Sequence, residues 1–253
     1  MRLQNRIDEV SMLLDLSACI GCRACQVACN EWNGLPVELT GSCEHPTSLS
    51  GDTWMQVRVI ERQTSDGFPE WLLYSDSCKH CREAPCMVAC PTGAIVRTDE
   101  GMIVVNENVC NGNGHCVPAC PFGVIGLSKK TGIAGKCTFC YERVAEGLET
   151  ACTKVCPTAC IQFGERKGLI ENAHRRIGLL RERGADEARL YGEHELGGLH
   201  VLYVLTCEPS VYGLPDPLVA PRERLGRAAL ATAAVALLWG CLYLLLTSGN
   251  LSL

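Results

Sequence analysis

The sequence predicts an α+β, loop-rich chain made of two nested modules, each holding two metal-binding cysteine runs, followed by one C-terminal transmembrane helix. Three observations predict it. Cysteine recurs in four runs of one kind within the first 160 residues. Short alternating apolar segments lie between the runs, as strands require. An uncharged apolar stretch of 20 residues stands near the end.

The runs are Cys19-x2-Cys22-x2-Cys25-x3-Cys29, Cys78-x2-Cys81-x4-Cys86-x3-Cys90, Cys110-x5-Cys116-x3-Cys120 and Cys137-x2-Cys140-x11-Cys152-x3-Cys156. The last three end in Cys-Pro, at Pro91, Pro121 and Pro157. In the third run Asn113 stands where a second cysteine belongs.

A disulfide scaffold is the usual reading of dense cysteine in a small secreted domain. Against it, the count of 19 is odd, the chain is 253 residues long, and the opening MRLQNRIDEVSMLL lacks a continuous apolar core and cleavage site. Zinc needs two pairs only and leaves the third cysteine and the Cys-Pro endings unexplained. Iron–sulfur clusters explain both. A C-x2-C-x2-C loop curls three thiolates onto one cluster and turns backbone N–H groups toward its sulfurs. The fourth cysteine, before proline, ligates the neighbouring cluster, so runs work in pairs. Each module is therefore ferredoxin-like and binds two clusters.

The order of pairing follows from the segments between the runs. Ala94 to Val105 (AIVRTDEGMIVV) alternates around Gly101 as a short hairpin. It forms the body of an inner ferredoxin-like module over residues 76–130, flanked by an outer module over residues 1–75 and 131–165, whose strands are read at 53–61 and 71–74. The first and fourth runs then pair across the inner module. One cluster takes Cys19, Cys22, Cys25 and Cys156, and a second takes Cys137, Cys140, Cys152 and Cys29. A third takes Cys78, Cys81, Cys86 and Cys120, and the fourth takes Cys110, Cys116 and Cys90, with Asn113 at a vacant corner.

The expected cofactors are three [4Fe-4S] clusters and a fourth cluster of one of two kinds. It is either [3Fe-4S], lacking the iron of the vacant corner, or [4Fe-4S] with Asn113, solvent or nearby His115 in place of a thiolate. Amide oxygen is a hard neutral ligand, and iron–sulfur iron prefers soft thiolate. A three-iron cluster there is expected to have the highest potential of the four, as neutral ligands raise it in Rieske centres. Cys43, Cys160, Cys207 and Cys241 fall outside the pattern and read as small apolar residues.

Residues 166–222 form a docking extension and linker. Leu169, Ile170, Ala173, Ile177 and Leu180 recur at helical spacing up to Gly184, and GGLHVLYVL (Gly197 to Leu205) reads as a buried strand with a structural His200. YGLPDPL (Tyr212 to Leu218) reads as a linker. The transmembrane helix covers residues 225–247. Its uncharged core, 228–247, spans about 30 Å as a helix, the thickness of a bilayer core. Arg222, Arg224 and Arg227 precede it, which by the positive-inside rule places the globular part in the cytoplasm. The net charge of −5 gives no reason to expect nucleic acid, and no nucleophile motif, phosphate loop or dinucleotide fingerprint appears. The chain reads as a non-catalytic subunit that moves electrons.

The segments CIGCRACQVACNEWN, KCTFC, ACTKVCPT, GGLHVLYVL and YGLPDPL, with the single terminal helix, resemble the four-cluster iron–sulfur subunits of molybdopterin oxidoreductases. More narrowly, they resemble the beta subunit of membrane-bound respiratory formate dehydrogenase. The resemblance implies nested pairing, a catalytic partner with a molybdenum or tungsten bis-pterin cofactor, and a membrane cytochrome b passing electrons to quinone. It also implies a single-pass inner-membrane location with the globular part in the periplasm, exported folded, which opposes the positive-inside reading. Asn113 departs from the pattern. Similar formate dehydrogenase subunits carry cysteine there, and nitrate reductase subunits carry tryptophan with a three-iron cluster. Rival readings are the same subunit serving a polysulfide, tetrathionate or dimethyl sulfoxide reductase, and a stand-alone membrane ferredoxin or redox sensor.

Overall fold

A computed structural model describes residues 10–36, 48–64 and 67–218. The apolar run VSMLLD forms strand β1 (Val10–Asp15), buried along nearly its whole length. The first cysteine run leads into helix α1 (Ala24–Asn33), which ends at Gly34 in the left-handed conformation a helix C-terminus favours. Strands β2 (Met55–Gln63) and β3 (Pro69–Ser77) pair antiparallel over nine positions and deliver the chain to Cys78. The strand expected at 53–61 is present, shifted two residues onward at the same length, the one expected at 71–74 is present and longer, and the expected module boundary at residue 75 falls inside β3.

The second run passes through the single turn α2 (Pro85–Val88) to β4 (Ile95–Arg97) and β5 (Ile103–Val105), the antiparallel hairpin anticipated around Gly101. The third run enters α3 (Cys116–Ala119), followed by β6 (Gly126–Leu127) and β7 (Ala134–Gly135), a second small pair. A Cβ at Gly126 would lie 2.7 Å from the Gly51 amide nitrogen, so glycine permits this crossing. The fourth run spans α4 (Tyr141–Ala145) and α5 (Ala151–Lys154). Thr150 caps α5 by accepting from the Thr153 N–H.

The chain then builds what gathers its two ends. Strand β8 (Ile161–Glu165), helix α6 (Arg166–Glu182), β9 (Arg189–Tyr191) and β10 (Val201–Leu205) complete a four-stranded sheet of order β8-β1-β10-β9. Only β1 and β10 are parallel, in the register Met12 to Val201. Strand alternation divides their side chains between two faces. Leu13, Leu202 and Val204 face α6 and pack on Leu169, Ala173, Ile177 and Leu180. Met12 and Tyr203 face the cysteine-bearing body, where Met12 lines a cavity with Cys29 and Tyr203 reaches Lys79.

The helix expected from 169 to 184 is thus present and packs on this sheet. The GGLHVLYVL strand begins at Val201, because Gly197 and Gly198 have φ of 73° and 110° and turn the chain. His200 is buried and its Nδ1 is 2.9 Å from the Val10 carbonyl, a satisfied structural histidine. The expected linker at Tyr212 is a correction. Tyr212 and Leu214 are buried, and Tyr212 packs edge-on against Tyr74, 5.8 Å between centroids. The apolar face of YGL outweighs its proline content. The expected transmembrane helix at 225–247, with Cys43 and Cys241, lies outside the described residues. Among the described residues no helix is long and apolar enough to cross a membrane.

Candidate metal centres

Each cysteine run contains backbone in the left-handed region. Gly21 and Arg23 have φ of 68° and 60°, His80 47°, Phe139 62° and Cys140 48°. Asn113 stands between Gly112 at 71° and Gly114 at 79°. Residues other than glycine rarely adopt this conformation, and it recurs where a loop must curl its N–H groups inward around an anion. Bonds of this kind are formed: the Phe139 N–H donates to Cys137 Sγ at 3.3 Å and the Ala134 N–H to Cys110 Sγ at 3.5 Å.

Cys29, Cys137, Cys140 and Cys152 line one cavity with about 290 Å³ of empty space, its mouth included. Burial pushes the Cys29 thiol up, and the nearby Cys152 and Cys140 push it further. Helix α1 places Cys29 one turn beyond Cys25, and Asn33, one turn further, donates from Nδ2 to Cys29 Sγ at 3.6 Å. Thr150 Oγ1 lies 3.2 Å from Cys152 Sγ, and burial raises that thiol to about 12.

A second cavity, about 340 Å³ on the same measure, is lined by Cys78, Cys81, Cys86 and Cys120. Burial raises the Cys81 thiol well above its usual range, and Cys78, Cys120 and Cys86 add to the rise. The wall also carries His80 and two lysines, Lys79 and Lys136. The His80 Nδ1 accepts from the Ile103 N–H at 3.1 Å, so the proton sits on Nε2, which is buried with no partner.

The other cysteines range from buried Cys25, Cys116 and Cys160 to exposed Cys22. Burial raises Cys25 to about 11, and the nearby Cys19 and Cys22 contribute. Cys25 Sγ lies 3.7 Å from Ser75 Oγ. Cys160 makes a side-chain hydrogen bond with Cys19 that lowers the Cys19 thiol to about 6, and Cys156 also acts on Cys160. Burial raises the Cys116 thiol, and the nearby Cys110 and Cys90 add to the rise. Asn113 and His115 are both exposed, and the Asn113 N–H donates to Asn111 Oδ1 at 3.1 Å.

The donor sets suit clusters rather than single ions. Among the described residues no three Cys, His, Asp or Glu side chains converge closely enough to hold one metal ion. The sulfurs instead face one another across cavities, as ligands to the corners of a cubane must. Cysteines of different groups also lie near one another: Cys25 acts on Cys29 and Cys152, Cys78 on Cys137, and Cys120 on Cys116.

Two family profiles match, each described as "4Fe-4S dicluster domain", one over residues 69–166 and one over 18–94. The chain is 41% identical over 236 residues to the nitrate-inducible formate dehydrogenase iron-sulfur subunit of Escherichia coli (strain K12), covering 90% of this chain and 80% of that one. The chain belongs to the formate dehydrogenase iron–sulfur subunit family. A formate dehydrogenase iron-sulfur subunit of Haemophilus influenzae is 37% identical over 241 residues, covering 92% of this chain and 77% of its own. The thiosulfate reductase electron transfer subunit of Salmonella typhi is 40% identical over 159 residues, 62% of this chain and 76% of its own. This family member is an electron-transfer subunit with iron–sulfur clusters in two dicluster domains, and it is not the catalytic subunit.

Cysteine spacing reveals the ligand candidates but not their surroundings. Asn33, at i+4 from Cys29, and Thr150, two residues before Cys152, were visible positions with no pattern to mark them. Lys79 and Lys136 are each next to a cysteine, and only the fold shows that both are buried.

Proposed function

We propose that this subunit carries electrons from a molybdenum or tungsten bis-pterin formate dehydrogenase subunit to a membrane cytochrome b through four clusters in a row. The supporting observation is that cysteines from distant runs face one cavity: Cys29 of the first run meets Cys137, Cys140 and Cys152 of the fourth. The ligand sets are Cys19, Cys22, Cys25 and Cys156; Cys29, Cys137, Cys140 and Cys152; Cys78, Cys81, Cys86 and Cys120; and Cys90, Cys110 and Cys116. The nested arrangement of modules follows from these sets.

The clusters, when bound, take up and release single electrons. The chain's own residues hold them by thiolate, exclude water with apolar walls, and aim N–H groups at the sulfurs. Three sites are [4Fe-4S]. The site at Asn113 is [3Fe-4S], because an exposed position without thiolate leaves its fourth iron open to solvent. Residues 225–247 anchor the subunit as a single-pass helix in the inner membrane, with the globular part in the periplasm. A chain carried out folded need not obey the positive-inside rule.

The test is purification of the subunit from its membrane with its partners, followed by addition of formate. A pterin-containing subunit should co-purify, and formate should reduce the clusters, seen by electron paramagnetic resonance. Clusters that stay oxidised with formate sink the reading. The thiosulfate reductase relative supports one alternative, in which the partner is another molybdopterin reductase. Reduction of that partner's substrate without formate activity would select it.

A further inference from the structure

Two buried lysines line the cavity of Cys78, Cys81, Cys86 and Cys120, and among the described residues only Lys79 has a carboxylate partner. Lys79 Nζ lies 2.5 Å from Asp76 Oδ1 and donates to the hydroxyls of Tyr74 at 2.8 Å and Tyr203 at 2.7 Å. Burial alone would depress its pKa, but Asp76 and the two tyrosines outweigh it, so Lys79 stays charged within a neutral pair.

Lys136 is 2% exposed and has no carboxylate partner among the described residues. Its Nζ donates to the backbone carbonyls of Ile103 and of Cys137, the latter at 3.0 Å. Carbonyl dipoles hold an ammonium but do not cancel its charge. That charge acts on Cys86, where it opposes the rise caused by burial, and on His80, where it adds to burial in keeping the ring neutral. The backbone before it is fixed, since Gly51 lies against Gly135 where any Cβ would intrude. The next residue, Cys137, lines the neighbouring cavity, so Lys136 stands at the wall between the two.

We infer that Lys136 raises the reduction potential of the cluster held by Cys78, Cys81, Cys86 and Cys120. Each electron arriving there adds one negative charge, and a fixed positive charge nearby stabilises it. The effect is large for a buried lysine because neither water nor salt screens it well. An ammonium without a counter-ion is costly to bury, and two carbonyls hold it in place.

The inference rests on the ligand assignment proposed above, and the test separates the two. In the purified complex, the cluster signal lost in Cys81→Ser is followed by redox titration with electron paramagnetic resonance. In Lys136→Gln, which keeps a donor without the charge, its midpoint should fall. About a tenfold drop in the reduced-to-oxidised ratio at the original midpoint corresponds to 59 mV for one electron. Lys136→Arg should restore it, and the other three midpoints should move less. If Lys136→Gln does not assemble, Lys136→Met is titrated by the same criteria. An unmoved midpoint, an equal fall in Lys136→Arg, or cluster loss in both neutral variants but not in Lys136→Arg overturns the role of Lys136. Absence of any signal sensitive to Cys81→Ser in the unaltered protein overturns the ligand assignment instead.

Discussion

Cys78 and Cys137 are buried together in one apolar cluster with Val124, although they belong to the second and fourth cysteine runs. Cys78 lines one cavity and Cys137 the other, so the two cavities share a wall. On the proposed ligand sets, an electron passing between the two sites would cross this packed wall. Replacing Cys137 by serine should remove one cluster signal and leave the one dependent on Cys81. Electron flow through the complex should fall by orders of magnitude while the formate-oxidising step, measured with an artificial dye, persists. Four intact signals in this variant would refute the ligand set.

Asn113→Cys should convert the fourth site. A thiolate between Gly112 and Gly114 completes the set with Cys90, Cys110 and Cys116. Iron should rise by about one atom per chain, from about 15 to about 16, and the three-iron resonance should vanish. The potential of that site should fall. A variant identical to the parent in iron and resonance counts against a vacant corner at Asn113.

Ile177 is buried between α6 and the sheet with Leu13 and Leu202. Ile177→Ala removes core volume and should cost about 2–5 kcal/mol. Urea denaturation should show the midpoint lowered while cluster signals below the transition stay unchanged, since α6 carries no ligand.

His200 gives a pH dependence. Burial holds its pKa below the ordinary value of 6.5. Its stabilising contribution is therefore present above that value and is lost as the pH falls, because the unfolded chain takes up the proton first. The slope is at most about 1.4 kcal/mol per pH unit for one proton. Between pH 7 and pH 5, His200→Asn should lose less stability than the parent in paired denaturation curves. Parallel curves would show that His200 does not titrate on unfolding.

The site was more legible in the sequence than the frame that holds it. Cysteine spacing reflects the geometry of a cluster directly, because each loop must place its sulfurs at fixed corners. The hairpin around Gly101 and helix α6 also stood out, having periodicity of their own. Strand β1 did not. Its residues, Val10 to Asp15, carry no alternation because both faces are buried, and its partners are β8 and β10, about 150 and 190 residues onward. Such pairing leaves no local trace. The burial of Lys136 was invisible for the same reason: the carbonyl of Ile103 that receives it comes from another hairpin.

The position of β1 has a consequence for biogenesis. Its neighbours in the sheet are Ile161–Glu165 and Val201–Leu205, so it finds no partner until the ribosome has delivered residue 165 and keeps one open edge until residue 205. The residues that line the inner cavity all lie between Cys78 and Lys136, although Cys81 and Lys79 are later braced by Leu199 and Tyr203, whereas the first cysteine run waits for the last. A chaperone supplying iron and sulfide therefore meets a nascent chain whose middle cysteines are all made before those of its beginning have their partners, and premature release leaves Cys19 to Cys29 as bare thiols beside an open strand edge.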